Sequence, residues 1–140
     1  MDDPYDLRRY VSAQQPVFER VCAELAAGHK QSHWMWFVFP QLKGLGTSPM
    51  AQRYAIGSLE EARAYLAHPL LGERLRQCTQ LVNQAEGRSA QAIFGYPDYL
   101  KFRSCMTLFA YAAGDSPVFT AALARYFAGE ADPLTRELLG

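Results

Sequence analysis

Pro97-Asp-Tyr-Leu-Lys-Phe-Arg-Ser-Cys-Met-Thr-Leu-Phe-Ala-Tyr-Ala-Ala113, closed by Gly114, is the stretch that decides the fold. Tyr99, Phe102, Met106, Phe109, Ala110 and Ala113 recur at helical spacing and share a stripe about 100° wide. The second half is apolar almost all the way round, and a helix of that kind lies in the middle of a protein. Arg103, Ser104 and Thr107 project from the other side, with Lys101 further round. Residues 99–114 hold no acid, so Lys101 and Arg103 need partners from elsewhere, either an acidic side chain of another helix or a ligand anion. Ser104 and Thr107 can instead bond back to carbonyls one turn earlier.

The segments around this helix repeat the same period. After Pro16, the residues Phe18, Val21, Cys22, Leu25 and Ala26 follow the i, i+3, i+4, i+7, i+8 rule, and Gly28 sits where a left-handed helix stop belongs. Ser58 with Glu61 forms a capping-box pattern ahead of Leu59, Ala62 and Leu66. Leu71, Leu75, Cys78 and Val82 make another seam, ending near Gly87, and Phe119, Ala122, Leu123, Tyr126 and Phe127 make one more before Gly129. Prolines punctuate these segments. Seven of the eight precede a helical pattern and are expected at its first position, where the missing N–H costs nothing. Ser48-Pro49, Ser116-Pro117 and Asp132-Pro133 add a good capping side chain.

No segment outside residues 34–39 shows strand alternation or a hairpin turn, so the fold is expected to be all-α. About seven to nine short helices in one domain spanning 1–140 are expected. Trp34-Met-Trp-Phe-Val-Phe39 reads as a short strand or as one and a half turns of buried helix; Pro40 ends it in either case. The following Gln41–Ser48 reads as a flexible loop around Gly44 and Gly46.

Fourteen basic and fourteen acidic side chains leave no global field to steer the chain onto nucleic acid or an acidic membrane, so any anion affinity is local. The longest strongly apolar run, residues 34–39, is far short of the roughly 20 residues a spanning helix needs. The N-terminus is acidic and lacks the apolar core of a secretory signal. Three widely spaced cysteines, Cys22, Cys78 and Cys105, suit a reducing compartment and read as small core residues. A cytoplasmic protein is the expectation.

The local pointer to function is residues 25–59, which contain no aspartate or glutamate but hold Lys30, Lys43, Arg53, His29 and His33 around the densest aromatic run. Donors beside large π faces with no competing carboxylate suit an anionic ligand that has an aromatic part. The expected cleft joins the 29–54 segment to the first turns of the 97–113 helix. In it Trp34 or Trp36 would stack, Lys30, Arg53, Lys101 and Arg103 would neutralise charge, and Gln41 and Ser104 would add polar contacts. His33 is the side chain able to move a proton near neutral pH, so it is the acid/base candidate should the protein be an enzyme.

Other chemistries are poorly supplied. His29 and His33 are spaced i, i+4, but their segment is doubtfully helical and no further ligand stands near in sequence, so no metal site is expected. No nucleophile elbow or oxyanion loop is present, and Asp98 reads as an offset to its helix dipole. No cofactor is expected. The competing readings are a protein-interaction module and a homodimer that uses the aromatic patch.

Three stretches together carry a resemblance: Gly28-His-Lys-Gln-Ser-His-Trp-Met-Trp-Phe-Val-Phe-Pro-Gln41; Gly44–Ile56 with His68-Pro-Leu-Leu-Gly72; and Ile93–Asp98 with Lys101–Phe109. Over nearly the whole chain these resemble the 1810 family of domains of unknown function. That resemblance implies a small all-helical fold and brings no established activity. Cys105 stands where the family pattern has a serine, which implies that this position faces the core.

Overall fold

The computed structural model describes residues 2–114 and 116–140. Among the described residues ten helices follow one another: α1 (Arg8–Gln14), α2 (Phe18–Ala26), α3 (Met35–Val38), α4 (Pro49–Arg53), α5 (Leu59–Ala67), α6 (Leu71–Asn83), α7 (Ala90–Phe94), α8 (Asp98–Ala113), α9 (Pro117–Phe127) and α10 (Pro133–Leu139). The fold is all-α, and the count exceeds the sequence expectation because α3, α4 and α7 are single turns. Among the described residues the one β-type pairing is an isolated parallel bridge between Leu42 and Ile56.

Helix α8 is the axis of the core. It packs against α5, α7, α9 and α10, and Phe102, Cys105, Met106, Leu108 and Phe109 are all sealed from solvent. Ser104 and Thr107 are buried with them and donate to carbonyls one turn back, at 3.1 Å to Leu100 and 2.9 Å to Arg103. A buried hydroxyl without a partner costs about 1–3 kcal/mol, and these bonds remove that penalty. The Thr107 hydroxyl also accepts the Asp132 N–H at 2.8 Å, which seats the start of α10 on α8.

The aromatic run resolves as helix. Trp34 flanks the single turn α3, and Phe39 leaves the helical region at φ −123° because Pro40 follows it. Phe39 meets Phe94 and Phe102 edge-on at 5.8 and 5.1 Å, and Phe94 stacks on Phe102 at 4.7 Å. The loop after Pro40 is tied at its start, because the Ile56 N–H donates to the Gln41 carbonyl and the Lys43 N–H to the Ile56 carbonyl.

Three of the seven helix-starting prolines occupy the first helical position, in α4, α9 and α10. Ser48 and Asp132 cap α4 and α10 as expected, whereas Ser116 makes no cap bond. The other four lie before that position. Pro97 is the N-cap of α8, and Pro4, Pro16 and Pro69 sit in the preceding turns. For two of these helices a side chain further back supplies the acceptor the proline displaced. The Asp3 carboxylate takes the Leu7 and Arg8 N–H groups at 2.8 and 3.0 Å, and His68 Nδ1 takes those of Leu70 and Leu71 at 3.1 and 3.2 Å.

Helices α5 and α6 meet backbone to backbone at Gly72, where a Cβ would lie 2.1 Å from the Leu66 carbonyl oxygen. That close approach is what the glycine of the His68-Pro-Leu-Leu-Gly72 motif permits. Helices α2 and α6 lie side by side and run in the same direction: the Arg74 guanidinium sits 4.7 Å over the Phe18 ring, and Gly28 lies beside Ala85 at the other end.

Candidate functional site

Two carboxylates from outside the acid-free segment hold it in place. Glu24, in the last turn of α2, accepts the Gln31 N–H at 2.8 Å, the Ser32 N–H at 3.1 Å and the Trp34 indole N–H at 2.9 Å on one oxygen. Its other oxygen takes the Ser32 hydroxyl at 2.5 Å. Burial acts to raise the Glu24 pKa, but the hydrogen bonds from Ser32, Gln31 and Trp34 overcome it and hold the carboxyl down to about 2. The loop carrying Lys30, His33 and Trp34 is therefore built around a permanent anion.

Asp98, the first residue of α8, is the second anchor. Its carboxylate receives Lys30 Nζ at 2.9 Å and Lys101 Nζ at 3.3 Å, while the Lys30 N–H donates to the Ile93 carbonyl at 2.7 Å. The Lys30 side chain is only 8% exposed, so the Asp98 carboxylate is the counter-ion of a nearly buried ammonium. Each lysine also covers an indole: Lys30 Nζ lies 5.2 Å from the Trp34 ring centroid and Lys101 Nζ 5.6 Å from that of Trp36. Two ammonium groups share the Asp98 carboxylate, and Lys101 is the more exposed of the two.

The structure thus gathers Lys30, Trp34, Trp36 and Lys101 around Asp98 and places the remaining candidates elsewhere. Trp34 is 1% exposed and its indole N–H is spent on Glu24, whereas Trp36 is half-buried and keeps part of its ring open to solvent. Arg103 points to the α9–α10 connection. It donates to the Glu130 and Ala131 carbonyls at 2.9 and 3.1 Å and pairs with the Glu130 carboxylate at 3.7 Å. Ser104 is buried on its own helix backbone. Arg53 is exposed beside Tyr54, in the neighbourhood of the N-terminal clamp where Arg9 holds the Arg53 and Ala55 carbonyls and the Glu61 carboxylate. Gln41 is half-buried next to the Ile56 bridge. His33 is exposed, and no side-chain hydrogen bond orients it among the described residues.

The sequence reading missed Glu24 as the loop anchor and Tyr96 as an exposed ring. Glu24 lies one residue before the acid-free window and ten before Trp34, so the signal was present but fell outside the frame. Tyr96 is 80% exposed and pairs with Tyr99 at 6.2 Å, and Leu100 is 40% exposed, all at the start of α8. Two grooves of about 520 Å³ lie elsewhere; they share His68 and contain none of the predicted site residues. Cys78 and Cys105 are core residues as expected, whereas Cys22 is half-exposed.

Among the described residues no three His, Cys, Asp or Glu side chains are grouped to hold a metal, and no helix is long and apolar enough to cross a membrane. What the fold and site define is a small all-helical protein with a lysine-covered aromatic face at the start of its central helix. Residues 4–139 match the family described as protein of unknown function (DUF1810), and the chain belongs to that family. It is similar, at 60% identity over 98% of each chain and a TM-score of 0.97, to a conserved hypothetical protein from Mycobacterium tuberculosis whose crystal structure is known. Among curated proteins there is no match.

Proposed function

We propose that this chain is a ligand-binding module whose Trp36–Lys101 face takes a small anion carrying an aromatic or heterocyclic ring, of the nucleotide or ADP-ribose type. The observation that carries this reading is the Lys30–Asp98–Lys101 cluster, where two ammonium groups share one carboxylate and the more exposed of them, Lys101, lies beside a half-buried indole. The exposed part of the Trp36 ring would stack on the ligand ring, and Lys101 would meet its anion. The reading is one of binding; among the described residues no side-chain hydrogen bond orients His33 for proton transfer.

A thermal-shift screen against nucleotides, NAD, ADP-ribose and small phosphates tests it. A ligand at a hundred times its Kd adds about 2.7 kcal/mol, and this gain should vanish in Lys101→Ala and in Trp36→Leu but survive in His33→Ala. No shift across the panel would end the reading. A second reading, a protein-interaction surface, is favoured by one observation: Tyr96 and Leu100 stand exposed at the start of α8, apart from the two large grooves. It expects silence from the panel.

A further inference from the structure

We infer that Cys22 and Cys78 form a redox-active dithiol, in which a half-exposed thiol reacts with peroxide and its buried neighbour resolves it to an intramolecular disulfide. The inference stands apart from the Trp36 face, which shares no residue with it.

Helix pairing sets the two thiols opposite each other. Because α2 and α6 run in parallel, contacts advance together along both. Arg74 lies over Phe18 at 4.7 Å, and one turn further on each helix are Cys78 and Cys22. Gln77, the neighbour of Cys78, places its side-chain nitrogen 4.0 Å from the Cys22 sulfur, and Gly28 with Ala85 continues the same register. The same register sets the Cys78 thiol beside that of Cys22. A bridge between the two helices would form at this level of their contact.

The two sulfurs differ in the way such a pair requires. Cys22 is half-exposed, so an oxidant can reach it; Cys78 is buried and protected. The neighbouring Cys78 thiol acts to lower the pKa of the Cys22 thiol against the effect of burial, and the Arg74 cation adds to the lowering. The same neighbour and burial push the Cys78 thiol up. An accessible thiolate beside a cation is the form that reacts with peroxide. Cys105, fully buried in α8 with its pKa raised by burial, is the internal control.

The chemistry balances. The Cys22 thiolate attacks one peroxide oxygen, the O–O bond breaks, the sulfur is oxidised to sulfenic acid, and hydroxide leaves to take up a proton as water. The Cys78 sulfur then attacks the sulfenic sulfur, the S–O bond breaks, and the oxygen departs as a second water carrying the Cys78 proton. Two thiols and one hydrogen peroxide give one disulfide and two waters. A dithiol reductant reverses the change by attacking the exposed Cys22 sulfur.

Peptide mapping of the reduced full-length protein tests this. After treatment with hydrogen peroxide near neutral pH, the thiols are blocked under denaturing conditions and the chain is cut with trypsin. Residues 21–30, holding Cys22, should appear joined to residues 77–88, holding Cys78, while Cys105 is recovered as a free thiol. Dithiothreitol should restore both peptides. In Cys78→Ala, dimedone should trap a sulfenic acid at Cys22, and no cross-linked peptide should form. Oxidation of wild-type Cys22 that leaves Cys78 free overturns the inference. So do a Cys22–Cys22 link between molecules, and loss of Cys105 as fast as Cys22.

Discussion

Removing the Glu24 carboxylate should destabilise the protein in a way that depends on pH. One carboxylate gathers two backbone N–H groups, the Ser32 hydroxyl and the indole N–H of the sealed Trp34. Glu24→Ala strands that indole donor, and a buried unsatisfied donor together with lost charged hydrogen bonds costs about 2–4 kcal/mol. Glu24→Gln keeps an acceptor but loses the charge. Moving a carboxyl from its ordinary 4.5 to about 2 corresponds to about 3 kcal/mol at 1.36 kcal/mol per pH unit, and solvent exposure screens this to about 1–2 kcal/mol. The folded-state pKa lies below the unfolded one, so this contribution is present above pH 4.5 and is lost as pH falls toward about 2. Urea unfolding followed by circular dichroism, at pH 7 and pH 3, measures both effects. Wild type and Glu24→Gln should differ at pH 7 and converge toward pH 3. A gap that stays constant between those pH values, or a Glu24→Ala variant within about 0.5 kcal/mol of wild type, would refute the anchoring role.

Four further substitutions test packing and charge. Gly72→Ala gains helix propensity but drives a Cβ to 2.1 Å from the Leu66 oxygen, so the net effect should be a loss of about 2–4 kcal/mol and a melting temperature lower by about 10 °C; an unchanged melting temperature would show that the α5–α6 contact yields freely. Asp98→Ala leaves the Lys30 ammonium buried without its partner and should cost about 3 kcal/mol, whereas Lys101→Ala, at the more exposed end, should cost under about 1 kcal/mol. Adding Lys30→Met to Asp98→Ala should recover most of the loss, and equal costs for the two single variants would contradict the assigned burial.

Helices were legible because their signals are local. The Phe18–Ala26 and Leu71–Val82 seams, the Ser58 cap and the Gly28 stop each rest on residues within one or two turns, and the structure realises them. The proline rule was less faithful. It assumes that the residue after an acceptor begins the helix, whereas Asp3 and His68 cap from several positions back and push the start beyond the proline. The short turn α3 escaped a firm assignment because six apolar residues read alike as strand and as buried helix. Tertiary burial of Trp34, Met35, Phe37 and Phe39 decided the matter.

The site was half legible, for a reason that concerns charge. A run without acids in sequence is not a volume without acids. Glu24 precedes the run and Asp98 lies almost forty residues beyond it, yet both carboxylates fold onto the run and consume the donors that looked free. Arg103 is engaged in a third way: the Glu130 carboxylate pairs with it, and its N–H groups are spent on main-chain carbonyls that no reading of side-chain charge can count. What survives is the difference between supply and demand around Asp98, where two lysines meet one carboxylate. On the proposed binding reading, a ligand anion at this face would meet an ammonium already shared with Asp98, beside one indole. The ring of the ligand would then matter as much as its charge, and inorganic phosphate, which has no ring, should bind more weakly than a nucleotide.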